Sequence, residues 1–133
     1  MAEKLHFSLV APERELVNEE VDQVDVPGAE GEFGVLPHHA PVMTIVKPGA
    51  LRVYNNGAIR KIFVNGGFAD VTPAGLTVLA EDAVDLADVD VAKLEQDIQN
   101  AKEDVNGARD DAHLSPAQLR LRRLEAMKAA LTR

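Results

Sequence analysis

Leu51-Arg52-Val53-Tyr54-Asn55-Asn56-Gly57-Ala58-Ile59-Arg60-Lys61-Ile62-Phe63-Val64 sets the fold class. Leu51 to Tyr54 is a short run of strand formers. It meets Asn55-Asn56-Gly57, residue types that accept φ > 0 and turn a chain tightly. Ile59 to Val64 returns as a second run and stops at Gly66-Gly67. The same grammar holds on both sides. Upstream, Leu5 to Val10 alternates and is closed by Pro12; Val21 to Val26 ends at Pro27-Gly28; Val42 to Val46 ends at Pro48-Gly49. Downstream, Phe68 to Thr72 runs to Pro73-Ala74-Gly75, and Leu76 to Ala80 closes the set. Short strands spaced by about 8–12 residues predict an antiparallel β-sandwich or barrel. Parallel βαβ units would need crossover helices, and the intervals leave no room for them.

The period changes near residue 86. Val91, Leu94, Ile98, Ala101 and Val105 recur at intervals of three and four, a narrow helical stripe. Asp88 or Asp90 is placed to cap it, and Asn106-Gly107 is a natural stop. Ser115-Pro116-Ala117-Gln118 reads as a capping box with Pro at the first helical position, flanked by Leu114 and Leu119 as a staple. Ala117, Leu121, Leu124 and Leu131 continue a second stripe, interrupted by Lys128. The chain is therefore read as α+β: a β-sandwich over residues 1–87 and an antiparallel helical hairpin over 88–133. Neither stripe is wide enough to build a core by itself.

The chain has 133 residues, enough for one domain with an appendage. It has no cysteine, which excludes disulfides, thiol catalysis and iron–sulfur clusters. Aromatics are 4% and the net charge is −8, so stacking on single strands and bulk neutralisation of nucleic-acid phosphates are both excluded. No apolar run reaches the ~18 residues of a membrane span. The start, Met1-Ala2-Glu3-Lys4, has no leader pattern, so a soluble cytosolic protein is expected. Charge is segregated: −4 over residues 1–80, −8 over 81–111 and +4 over 112–133. The basic segment holds Arg120, Arg122, Arg123, Lys128 and Arg133 against Glu125.

Catalytic signatures are absent from the sequence. The two serines, Ser8 and Ser115, read as a strand residue and a helix cap, and there is no phosphate-binding loop or zinc-protease motif. Gly66-Gly67 reads as a tight approach between strands rather than a phosphate cradle. His38-His39 are adjacent, and neighbours rarely point at one metal, so no metal site is expected. The acidic run from Glu81 to Asp90 lacks the glycine and terminal glutamate of a calcium loop and reads as a solvated linker. Glu30-Gly31-Glu32-Phe33-Gly34-Val35-Leu36-Pro37-His38-His39-Ala40-Pro41 is different. Its glycines and prolines fix the backbone, with positive φ expected at Gly34, while Glu30, Glu32, His38 and His39 stay available for docking.

That segment carries a resemblance. Glu30 through Pro41, the Lys47-Pro48-Gly49 turn, Gly66-Gly67-Phe68-Ala69-Asp70-Val71 and Val78-Leu79-Ala80-Glu81-Asp82-Ala83 resemble, in order and spacing, the epsilon-subunit family of F-type ATP synthases, counterpart of the mitochondrial delta subunit. The resemblance covers essentially the whole chain. It implies a β-sandwich followed by a helical hairpin, and a non-catalytic rotor subunit of the central stalk. Implied partners are the gamma subunit and c-ring through Glu30, Glu32, His38 and His39, and the alpha and beta subunits through the hairpin. Implied location is the cytoplasmic face of a bacterial inner membrane, peripherally, within the complex. A regulatory role for the hairpin falls on the basic helix residues Arg120, Arg122, Arg123 and Lys128.

Some members of that family bind ATP through Ile/Leu-Asp-x-x-Arg-Ala. Here the stretch is Val89-Asp90-Val91-Ala92-Lys93-Leu94: Asp90 is kept, and Lys93 supplies a point charge where a guanidinium fork is expected. Arg123 falls on one family arginine position and Met127 on another. The resemblance thus implies no cofactor, with ATP at most a weak regulatory ligand at Asp90, Lys93 and Arg123. An ATP-sensing switch and an unrelated sandwich with an oligomerising tail are the alternatives.

Overall fold

Asn56 and Gly57, both with positive φ (54° and 82°), turn β6 (Gly49–Asn55) into β7 (Ala58–Val64) as a two-residue hairpin. In this computed structural model, which describes residues 3–132, eight further strands join that pair. They are β1 (Leu5–Ala11), β2 (Arg14–Val21), β3 (Gln23–Gly28), β4 (Gly31–Val35), β5 (Val42–Val46), β8 (Gly67–Thr72), β9 (Gly75–Ala80) and β10 (Ala83–Asp85). A 3-10 turn (Leu86–Asp88) leads to α1 (Val91–Gly107) and α2 (Asp111–Leu131). Met1, Ala2 and Arg133, which enter the leader and charge readings above, lie outside the described residues.

Strand order is β10-β7-β6-β3-β5-β8-β9-β1-β2, with β4 paired to β3. The sheet curls into a sandwich because β3 changes neighbours along its length: Gln23–Asp25 pair with β6, and Gly28 pairs with Val46 of β5. The antiparallel expectation holds for every ladder except one. β1 runs parallel to β9, from His6 beside Gly75 to Val10 beside Leu79. Inward residues such as Phe7, Leu9, Val24, Val26, Leu51, Leu76 and Val78 form the core. Among the described residues no polar or charged side chain is buried. Gly67, at φ 147°, marks the tightest approach. A Cβ there would sit 1.9 Å from the Leu79 carbonyl oxygen, so only glycine lets β8 meet β9.

Three strands escaped the hydrophobic pattern. β2 (RELVNEEV) buries only Val17 and Val21 behind a row of charges, β4 carries two glycines, and β10 has three residues. β4 lies inside the stretch read above as an irregular docking loop. Gly34 does not take positive φ. It is small because Gln23 Nε2 and Asp25 Oδ1 would lie 3.0 and 3.1 Å from a Cβ.

The chain divides into two compact units, one ending at Ala87 and the other beginning at Asp88. In the second, Asp90 caps α1, its Oδ1 accepting from the Lys93 N–H at 3.2 Å. Leu94, Ile98 and Ala101 are buried, whereas Val91, expected in the same stripe, is exposed. α2 starts four residues before the expected capping box. Asp110 is its cap, accepting from the His113 N–H at 3.0 Å, so Ser115 is not the cap and Pro116 lies inside the helix. On α2, Met127 rather than Lys128 continues the half-buried stripe of Leu114, Ala117, Leu121 and Leu124.

Candidate interaction surfaces

The four residues expected to dock do not form one site. Glu30 sits exposed in the two-residue turn between β3 and β4, and Glu32 is on β4, 3.9 Å from Arg52. β4 then runs about 17 Å for its five residues. His38 and His39 lie beyond its far end. There the His39 N–H donates to the Leu36 carbonyl at 3.1 Å, closing a turn with Pro37 second and His38, φ 65°, third. That is the pattern of a type II turn. His38 pairs with Glu3, and the His39 Nδ1 contacts the Ala40 carbonyl at 2.6 Å, its ring 6.3 Å from that of Phe33. Glu30 and the histidine pair therefore address opposite ends of the β unit.

A second surface was missed by sequence reasoning. Ile45 of β5 is paired with Phe68 of β8, Phe68 with Leu79 of β9, and Leu79 with Val10 of β1. Ile45, Phe68 and Leu79 point outward and are 57%, 52% and 53% exposed, and Met43, two residues from Ile45, is 70% exposed. They make one apolar row across the outer face. Beside it lies a hollow of about 340 Å³ lined by Val10, Ala11, Pro12, Phe68 and Leu79. Along each strand Phe68 and Leu79 alternate with polar outward neighbours, Asp70 and Thr77, so each reads as an isolated apolar residue and only the pairing across strands joins them.

The β3–β6 side of the sandwich carries a polar cluster. Tyr54 Oη donates to Asp25 Oδ2 at 2.8 Å, and Gln23 Nε2 donates to Asp25 Oδ1 at 2.7 Å. The Asp25 hydrogen bond, then burial and the Asp25 charge hold the Tyr54 hydroxyl above its ordinary pKa, against the opposing pull of Arg52. At the end of the β unit, Arg60 Nε donates to Asp85 Oδ2 at 2.7 Å and fastens β10. Burial raises the Asp85 pKa, but the Arg60 hydrogen bond, the Ala87 N–H and the Arg60 charge outweigh it and leave the carboxyl below its usual range.

In the helical unit the basic residues divide. Arg120 lies 3.5 Å from Asp104 and Lys128 lies 3.8 Å from Glu95. Arg122 and Arg123 are exposed, with no ion pair among the described residues. A cleft of about 680 Å³ at the helix junction is lined by Asp104, Asp110, His113 and Arg120, which already pair as Arg120–Asp104 and His113–Asp110. The expected nucleotide residues are not gathered. The Asp90 carboxylate is occupied as the cap. By the register of the two interhelical ion pairs, Arg123 sits about two turns, or ~10 Å, along the hairpin from Lys93. No group of three or more His, Asp or Glu suited to a metal occurs among the described residues.

A curled ten-stranded sandwich followed by a helical hairpin defines a two-unit α+β chain. The family model for the ATP synthase delta/epsilon chain, beta-sandwich domain, matches residues 4–86. The ATP synthase epsilon chain of Maricaulis maris is 52% identical over 129 residues, 97% of each chain. That of Caulobacter vibrioides is 62% identical over 85 residues, 63% of this chain but 98% of the relative. Among solved structures, a chain in the Euglena gracilis mitochondrial ATP synthase, OSCP/F1/c-ring in rotational state 1, superposes with a TM-score of 0.84 at 27% identity, covering 98% of this chain and 82% of that one. This chain belongs to the ATP synthase delta/epsilon family.

Proposed function

We propose that this chain is a non-catalytic rotor subunit of the central stalk of an F-type ATP synthase, coupling rotation of the c-ring to ATP synthesis through contacts with gamma. The observation that carries it is the likeness over nearly the whole length, helices included, to a chain seated in an F1/c-ring assembly. Its place is peripheral, at the cytoplasmic face of a bacterial inner membrane and held there by the complex. No helix among the described residues is long and apolar enough to cross a membrane. Tagged full-length chain should copurify from its own cells with alpha, beta, gamma and c subunits. Recovery free of all of them would overturn the reading.

The hairpin is the regulatory element in this reading. Arg122 and Arg123 face solvent, while Arg120 and Lys128 hold pairs that can be exchanged for acidic groups on the catalytic head. In the assembled complex, a chain ending at residue 112 and an Arg120→Ala, Arg122→Ala, Arg123→Ala variant should both hydrolyse ATP faster than the parent. Equal rates in all three would confine the chain to coupling and assembly. ATP itself acts at most weakly, because the Asp90 carboxylate is engaged by backbone and Arg123 is distant from Lys93. Micromolar calorimetric affinity in the unaltered chain would restore the nucleotide switch.

A further inference from the structure

We propose that Asn106-Gly107, where α1 ends, is a site of self-modification: the Asn106 side-chain amide converts, without an enzyme, to aspartate and isoaspartate. The inference goes beyond the rotor reading and does not depend on it.

The chain holds three Asn-Gly pairs, at 56–57, 65–66 and 106–107. Each carries the elements of one reaction, because glycine has no side chain to screen its backbone nitrogen. That nitrogen gives up its proton to a base and attacks the Asn Cγ. The new N–Cγ bond closes a five-membered succinimide, the Cγ–Nδ2 bond breaks, and the side-chain nitrogen leaves as ammonia with the released proton. Water then opens the ring at either carbonyl. Breaking the new N–Cγ bond gives aspartate. Breaking the original peptide bond gives isoaspartate, whose main chain runs through the side-chain methylene. Amide and water are consumed, and acid and ammonia are formed.

The fold decides which pair reacts, since the side chain and the following nitrogen must swing together. Asn56 is locked: its Oδ1 accepts from Lys4 Nζ at 3.1 Å, its N–H donates to Asp22 Oδ2 at 2.8 Å, and the β6–β7 ladder begins at the flanking Asn55–Ala58 pair. Asn65 is held too. Its N–H donates to the Asp82 carbonyl at 3.0 Å, one residue beyond the Val64–Ala83 pair, and Gly67 two residues on is packed against Leu79. Asn106 differs on each count. It is exposed, and its side chain has no hydrogen bond among the described residues. It lies in the last turn of α1, where the Ala108 cap reaches the Val105 carbonyl at only 3.4 Å, and such ends open at almost no cost. A Cβ on Gly107 would meet nothing within 4 Å, and Gly107 lines the cleft of about 680 Å³, so water and base reach its nitrogen. The product puts a carboxylate at the negative end of α1, near Asp104, and isoaspartate lengthens the main chain in the turn that sets the Arg120–Asp104 pair.

The test ages the folded full chain at mildly alkaline pH, below its melting temperature. Each pair is followed by peptide mass spectrometry and by labelling with an isoaspartate-specific methyltransferase. Asn106 should convert about tenfold faster than Asn56 or Asn65, with isoaspartate in excess, and in urea the three rates should converge, because only folding separates them. Gly107→Ala should slow the conversion about tenfold by screening the nitrogen. Asn106→Gln should remove it over the same period, and both variants should keep the helix content of the parent. Aged parent should melt lower than Asn106→Gln aged beside it. Conversion at Asn56 or Asn65 as fast as at Asn106 in the folded chain would overturn the proposal. So would an Asn106 that stays an amide when folded but converts in urea, or rates that remain as far apart in urea as in the folded chain.

Discussion

His38 is held at φ 65° by the turn that Pro37 begins, and a left-handed backbone costs a non-glycine residue about 1–2 kcal/mol. The Glu3 pair it makes is exposed at both ends, so it returns only part of that. His38→Gly should therefore raise stability by about 0.5–1 kcal/mol, and His38→Val should lower it by about 1 kcal/mol, in urea melts. If assembly with gamma and the c-ring weakens in the glycine variant despite its greater stability, the imidazole itself is the docking group. Tyr54 gives a second test. It is the one tyrosine of a chain without tryptophan, so its ionisation is read directly by ultraviolet absorbance. Its midpoint should lie above 10.0, and Asp25→Asn should bring it down. Because the folded-state pKa is raised, the stabilisation is complete below the unfolded value and is lost as pH rises through the folded one. The parent chain should lose its advantage over Asp25→Asn across that alkaline window.

At the scale of elements, the start of α2 separates two rules. Ser115-Pro116 satisfies the pattern of a capped helix start, yet Asp110 takes the role five residues earlier, bonding both the N–H and the ring of His113. Asp110→Ala should cost about 1 kcal/mol of helix stability, while Ser115→Ala should cost only a few tenths, measured by thermal melts and hydrogen exchange of the first turn. The reverse order would return the helix start to Ser115. The same element shows what a sequence can convey. Strand existence was legible wherever β-branched runs met Gly, Pro or Asn, as in β6 and β7. It was not legible in β2, whose outward glutamates mask Val17 and Val21, nor in β4, where glycine serves packing against Asp25 instead of a turn. Glu30, Glu32 and the histidine pair were visible as unusual chemistry. Their separation to opposite ends of the sandwich was not, because β4 between them did not read as a strand. The row of Ile45, Phe68 and Leu79 was hidden for another reason: pairing across three strands, which sequence does not display, is what makes it a surface.

For the whole molecule, the division at Ala87 invites a direct experiment. The β unit carries its own buried core, and the Caulobacter vibrioides relative matches over 98% of its length with only 85 residues. Residues 1–87 alone should unfold cooperatively and still bind gamma. Finding them unfolded where the full chain is folded would show that the helices are needed to complete the β unit.

The parallel ladder between β1 and β9 also bears on how the chain is made. β1 is the second strand from one end of the sheet, between β2 and β9, yet about 55 residues separate the end of β2 from β9. During synthesis at roughly 5–20 residues per second, the first hairpin must wait on the order of 3–11 s before its second edge has a partner. The sandwich therefore cannot fold from its first residue onward. It closes last where it was begun, and a ribosome that stalls before Gly75 leaves β1 with an open edge and Phe7 and Leu9 uncovered, a segment for holding chaperones to shield.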